Sequence, residues 1–169
     1  MTSPLLPPEL LDAGARCGAL LKERGQTVAV GEGSAGGLMA AALLAVPGAS
    51  SYFLGAGVIY THHALRGMLT GQVERPEKLR GASEPWATYL ARAAQAHMGA
   101  DWAIGEGGAA GPSGNAYGDP AGHVWLAVVG PGDSQPATRN LLTGSDDRVA
   151  NMVAFATAGL DLLAGQLAP

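Results

Sequence analysis

The feature that most constrains this chain is the run Thr27-Val28-Ala29-Val30 leading straight into the glycine-rich stretch Gly31 to Gly37. A short, unbroken apolar run is the pattern of a strand covered on both faces, as the strands of parallel sheets are. A tight turn follows it. A helix then runs from about Gly36 to Ala45 and ends at Pro47-Gly48. An amphipathic helix comes before the strand: Leu10, Ala13, Cys17, Leu20 and Leu21 share one face between about Pro8 and Arg24, and Gly25 stops it.

The rest of the chain repeats this alternation and then abandons it. Tyr52 to Tyr60 reads as a strand, with Gly55 and Gly57 marking a bulge or a close neighbour. A short helix over His62 to Leu69 and a polar loop from Gly71 to Gly81 follow. Ser83-Glu84-Pro85 opens a helix, with Ser83 as N-cap, and Gly99 closes it after Met98. Trp102 to Ile104 is a short strand, and Gly105 to Gly122 reads as a long glycine-rich loop of the functional or disordered kind. His123 to Val129 and Thr138 to Leu142 are strands around a Gly130-Pro131-Gly132-Asp133 turn, and a last helix runs from about Asp146 to Leu163. Early alternation gives parallel strands and the late strands give a hairpin. The expected fold is α/β: a three-layer α/β/α sandwich with a mixed, mostly parallel sheet. One domain over 1–169 is expected, with 1–7 flexible.

Composition narrows the partners. With 10 Lys plus Arg, scattered, and a net charge of −4, the chain lacks the basic patch that nucleic acid requires. Only 14% of residues are charged, and 26 are glycine. That favours close helix-on-sheet packing and a charge-poor surface, part of it buried between subunits, so a homo-oligomer is expected. The amino terminus has no basic, apolar leader, and the apolar run Leu38 to Val46 is too short for a bilayer, so a cytoplasmic protein without a membrane contact is expected. The single cysteine, Cys17, reads as a small buried hydrophobe rather than a nucleophile. His62 and His63 are adjacent and diverge, His97 and His123 stand apart, and no chelating spacing exists, so no metal and no cofactor are expected.

Four segments, taken in order, resemble the CinA C-terminal-domain family. Gly31-Glu32-Gly33-Ser34-Ala35-Gly36-Gly37, followed by Val46-Pro47-Gly48-Ala49-Ser50-Ser51-Tyr52-Phe53, is similar to its A-E-S-C-T-G-G and V-P-G-A-S-x-x-F. Val58-Ile59-Tyr60-Thr61 stands where the family has V-x-Y-S-N-x-x-K. Gly81-Ala82-Ser83-Glu84 is similar to G-A-V-S-E. Gly108-Ala109-Ala110-Gly111-Pro112, then Pro120-Ala121-Gly122-His123-Val124, matches G-I-A-G-P and P-V-G-T-V. The resemblance spans about residues 8 to 165. It implies the α/β/α fold, hydrolysis of the amide of nicotinamide mononucleotide or a similar pyridine nucleotide, and frequent homo-oligomers. Some relatives carry an extra N-terminal nucleotide-binding domain, which is not expected here.

The resemblance transfers unevenly to the site. The family's catalytic serine falls on Gly33, and its lysine on Leu65 beside Arg66. Ser34, one residue on, is either the N-cap of the next helix or a relocated nucleophile. Tyr60 matches the family tyrosine; its phenol either serves a substrate oxygen or finds a backbone partner. His62 or His63 can supply the base that Leu65 cannot. Arg66 stays protonated, so it binds an anion or is simply a solvated charge. Gly36 and Gly37 open a helix whose N–H groups can hold an anion. Gly107, Gly108, Gly111 and Gly114 allow backbone to approach a ligand. Glu106 interrupts a stretch that is small or apolar in the family, and either contacts ligand or lies exposed. Arg139, in a T-R like the family's, and Arg148, in a D-R like its G-D-R, are phosphate candidates or surface charges. Two functions stay open: a nicotinamide-nucleotide amidase with altered residues, or a non-catalytic relative that binds a small phosphorylated nucleotide or assembles.

Overall fold

Five strands form one sheet in the order β2-β1-β3-β4-β5: β1 Val28–Glu32, β2 Phe53–Val58, β3 Trp102–Ala109, β4 His123–Val129 and β5 Ala137–Leu142. β1 pairs parallel with β2 and β3, while β4 runs antiparallel to both β3 and β5. This computed structural model describes residues 5–69, 71, 73–132 and 135–169. Asp133 of the expected turn, and residues 1–4 of the segment expected to be flexible, lie outside the described residues.

Helices cover both faces, as the sequence pattern predicts. On one face α1 (Pro8–Arg24), α2 (Leu38–Leu44) and α5 (Arg148–Leu167) enclose Val28, Val30, Ile104, Val124, Leu126 and Val128. On the other lies α4 (Glu84–Met98), and α3 (His62–Met68) joins it through Leu65, Trp86, Tyr89 and Leu90. Alternation along each strand explains the split: Ala29, Ala103, Ala127 and Val129 point to α4 and meet Ala87, Ala91 and Ala94. Small residues on both sides let α4 lie almost on the backbone of the sheet. A Cβ at Gly105 would stand 1.9 Å from the Ala87 carbonyl oxygen, so glycine is required there.

Local signals set the helix ends. Gly25 and Gly99 take the left-handed conformation after α1 and α4, and the Ser83 hydroxyl accepts from the Trp86 N–H at 3.3 Å. Cys17 is buried in α1, its thiol donating to the Leu160 carbonyl and pushed up to about 12 by burial, which removes it as a nucleophile.

One expectation is corrected. β3 does not end at Ile104; it continues to Ala109, so the supposed loop begins only at Ala110. Its glycines are strand residues pressed against neighbours: a Cβ at Gly107 would meet the Trp86 ring at 2.5 Å, and one at Gly108 the His123 carbonyl at 2.4 Å. The remaining loop is tied down. The Asn115 side chain accepts from Tyr117 and Asp119 N–H groups, and Arg80 pairs with Asp119 at 2.6 Å, which holds that carboxyl below its usual range.

Candidate functional site

In an open α/β sheet the ligand crevice lies beyond the carboxyl ends of the parallel strands. Here those ends deliver Gly33 and Ser34 after β1, Ile59 and Tyr60 after β2, and Gly107 to Gly111 at the end of β3. Two cavities open there, of about 190 and 250 Å³, and they share Ser34, Tyr60, Gly108 and Asn115 as walls. The first has an aromatic lining of Tyr60, His62, Trp86 and Tyr117. The second runs along Ala109 to Gly111, Ser113 and Gly114 to Arg148. The turn after β1 and the glycine-rich end of β3 therefore border one cleft.

Glu106 organises the turn of this cleft. Its side chain is fully buried, 0% exposed, and projects from β3 under the turn that follows β1. One carboxylate oxygen, Oε2, accepts the N–H groups of Gly33 and Ala35, each at 2.8 Å; the other, Oε1, accepts the Ser34 hydroxyl. Burial pushes its carboxyl above the ordinary range, while these donors pull the other way. Neither expected role, ligand contact nor exposed charge, holds for Glu106. Nothing in the sequence signals this: the glycines around Glu106 read as a loop, and its partners lie 71 to 73 residues away in the chain.

Ser34 is not an N-cap. α2 starts four residues later, at Leu38, and Gly37 is its cap residue without a side-chain bond. The hydroxyl instead donates to Glu106, and the residue, 6% exposed, borders both cavities. The anion site expected at Gly36 and Gly37 is also corrected. Glu32, at the end of β1, already accepts the Met39 and Ala40 N–H groups at 3.2 and 3.1 Å, and the Gly36 N–H bonds the Gly33 carbonyl. Both glycines are there for the turn, at φ of 67° and 96°, and neither lines the cleft. Burial, with the Glu106 carboxylate nearby adding to it, pushes the Glu32 carboxyl up to about 7.

Tyr60 and Arg148 meet at the junction of the cavities. Tyr60 is 62% exposed, and its phenol oxygen accepts from Arg148 Nη2 at 3.1 Å; Arg148 Nη1 donates to the Gly111 carbonyl at 2.6 Å. Neither the backbone partner weighed for Tyr60 nor the surface ion pair weighed for Arg148 describes these contacts. Asn151, buried in α5, fixes the wall behind them: it donates to the Ala110 and Ser145 carbonyls and accepts from the Thr143 hydroxyl. Gly111, at φ of 110°, belongs to this wall, as do Gly107 and Gly108.

The remaining candidates divide. His62 lines the first cavity and sets its ring edge-on to Trp86, with centroids 5.8 Å apart. His63 and Arg66 sit on exposed faces of α3, outside the lining of both cavities. Leu65 is buried, 1% exposed, as a core residue. Arg139, on β5, lines a separate depression of about 700 Å³ against α5 and does not reach this cleft. Among the described residues no group of His, Cys, Asp and Glu is arranged to hold a metal, and no helix is long and apolar enough to cross a membrane.

Fold and site together define an α/β/α protein whose cleft joins an aromatic pocket to an arginine across a buried serine–glutamate contact. The family model described as the CinA C-terminal domain matches residues 12–167, and the chain belongs to that family. A CinA-like protein of Anaeromyxobacter sp. (strain K) is 40% identical over 147 residues, 86% of this chain and 36% of the relative. One from Prochlorococcus marinus (strain MIT 9313) is 39% identical over 112 residues, 66% of this chain and 26% of the relative. The chain thus spans only a minor share of the curated relatives' length. Among solved structures, the competence/damage inducible protein CihA from Agrobacterium tumefaciens superposes with a TM-score of 0.84 at 27% identity, covering 95% of this chain and 97% of that one. The competence damage-inducible protein A (ComA) from Klebsiella pneumoniae subsp. pneumoniae MGH 78578 also gives 0.84, at 28% identity, covering 94% and 96%.

Proposed function

We propose that this chain binds a small phosphorylated pyridine nucleotide, of the nicotinamide mononucleotide type, in the cleft beside Ser34. The observation that carries the reading is Arg148, held by Gly111 and Tyr60 at one end of a cleft whose other end is aromatic. A planar guanidinium, whose five N–H donors point outward in its own plane, suits a phosphate. Tyr60, Tyr117 and Trp86 offer faces and edges for a flat heteroaromatic ring. Together the two cavities reach the size range of small-molecule sites, roughly 300–1,000 Å³.

Binding is favoured over the family's hydrolytic route because that route's groups are replaced: Gly33 stands at the serine position and buried Leu65 at the lysine position. Thermal unfolding with nicotinamide mononucleotide, alongside an ammonia assay, tests the reading. At a hundredfold excess over Kd the gain is about 2.7 kcal/mol, a rise of roughly 5–10 °C for a chain of this size. Arg148→Ala abolishes that rise. A wild-type Tm unmoved by millimolar nicotinamide or nicotinate mononucleotide removes the proposal.

A further inference from the structure

We propose that the Arg80–Asp119 ion pair selects the charge of the ring that the aromatic cavity accepts. Asp119 neutralises the guanidinium that covers the outer face of Tyr117, and so keeps the inner face open to a cationic ring. The inference rests on the cleft reading for its ligand and adds the residues that set ring preference.

Plain contacts place the pair. Tyr117 lines the first cavity, whereas Arg80 and Asp119 line neither. The Arg80 guanidinium stands over the Tyr117 ring, 5.4 Å from its centroid, and so covers the side turned away from the cleft. Both of its terminal nitrogens donate to Asp119, Nη1 to Oδ2 at 2.6 Å and Nη2 to Oδ1 at 3.3 Å. Asn115 fixes the turn that carries the tyrosine: its Nδ2 donates to Asp119 Oδ2 at 2.9 Å, and its Oδ1 accepts the Tyr117 and Asp119 N–H groups. His123 donates from Nε2 to the Ala82 carbonyl at 3.1 Å, which ties β4 to the segment holding Arg80. The pair therefore joins two walls of one cavity, the segment before α4 and the loop between β3 and β4.

The electron-rich face of a tyrosine attracts a cation. A bare guanidinium on the opposite face works against that, because the two cations repel across the ring. A ligand ring about 3.5 Å beyond the tyrosine lies about 9 Å from this guanidinium. For effective dielectric constants between about 80 and about 20, that repulsion changes a dissociation constant by roughly two- to twentyfold. Asp119 cancels most of it. Arg80 in turn keeps the Asp119 carboxyl ionised by holding it below its ordinary range. The Arg80 side chain is 42% exposed, and an ion pair open to solvent contributes little to stability. Its effect on the tyrosine face is the larger consequence.

Calorimetric dissociation constants for nicotinamide mononucleotide and for its reduced form, whose dihydropyridine ring is uncharged, test this on the whole chain. The two share a phosphate and a carboxamide, so their ratio reports ring charge. The wild type binds the oxidised form more tightly. Asp119→Asn leaves Arg80 bare and lowers that preference by roughly two- to twentyfold. Arg80→Ala leaves the carboxylate and raises the preference, and the double variant returns it close to the wild-type ratio. A loop that is merely loosened weakens both ligands together and leaves the ratio unmoved. An unchanged ratio in either folded single variant overturns the proposal, as does a shift of the same sign in both, or a wild type that favours the reduced form. Should Asp119→Asn not fold, the Arg80→Ala ratio decides alone. A wild type that binds neither form removes the cleft reading and this inference together; binding of both, with ratios that the variants do not move, sinks only the ion pair.

Discussion

Glu32 makes the stability of this protein fall as pH rises through neutrality. Its carboxyl is fully buried, ordinarily titrates at 4.5, and is pushed up to about 7. Burial is the largest cause; the N–H groups of α2 oppose it, and the Glu106 carboxylate adds to it. A raised value means that the folded chain binds the proton more tightly than the unfolded one. The stabilisation is therefore complete below about pH 4.5 and is lost as pH rises through 7. The gap between 4.5 and about 7, at roughly 1.4 kcal/mol for each pH unit, comes to about 3.5 kcal/mol.

Urea unfolding of the wild type and Glu32→Gln at pH 5, 6, 7 and 8 measures this. The glutamine leaves either the Met39 or the Ala40 N–H without an acceptor, a loss of about 1–3 kcal/mol at every pH. It also removes the charge that the fold must hold above pH 7. The variant is thus less stable than the wild type at pH 5 and regains its deficit by pH 8, so the two curves converge or cross. Glu106→Gln, which takes away the neighbouring charge, shifts the wild-type decline to lower pH. Parallel curves for the wild type and Glu32→Gln across this range refute the reasoning.

Two further perturbations follow from close contacts. Gly105→Ala places its methyl 1.9 Å from the Ala87 carbonyl and 2.6 Å from the Ala91 nitrogen, both in the backbone of α4, so the helix must lift off the sheet; denaturant unfolding should show a loss of roughly 3 kcal/mol or more. Asn151→Ala removes two donated bonds and one accepted bond from the wall behind Arg148. It should lower stability by about 2–4 kcal/mol and, measured at matched unfolding temperatures, also weaken the response to nicotinamide mononucleotide.

The layered fold was legible because local rules and hydrophobic period agree. α1, α4 and β4 carry their own caps, stops and alternation, and they lie where the sequence predicts. What was hidden depends on distant pairs. The glycines of β3 look like a loop in sequence; they are strand residues because Ala87, Trp86 and His123 press against them. Ser34 looks like a cap, since a serine near a helix start usually is one, but its partner is 72 residues away in sequence. The glycines at 36 and 37 suggest free donors, and the pattern gave no hint that Glu32 would claim the start of α2 for itself.

Those two carboxylates decide how a ligand can lie in the cleft. Glu106 takes the N–H groups of Gly33 and Ala35, and Glu32 takes those of Met39 and Ala40. The donors that would make the turn an anion site are therefore already satisfied by charge of the wrong sign for a phosphate. An added phosphate there would face two buried carboxylates in a poorly screened interior. Arg148, with the Gly108 to Gly114 backbone around it, is the end of the cleft where a phosphate finds a positive charge. A nicotinamide mononucleotide so placed would direct its cationic pyridinium ring toward the faces of Tyr60, Trp86 and Tyr117, past Ser34. The positive charge and the aromatic rings then occupy opposite ends of one cleft, and the serine–glutamate contact lies on the boundary between them.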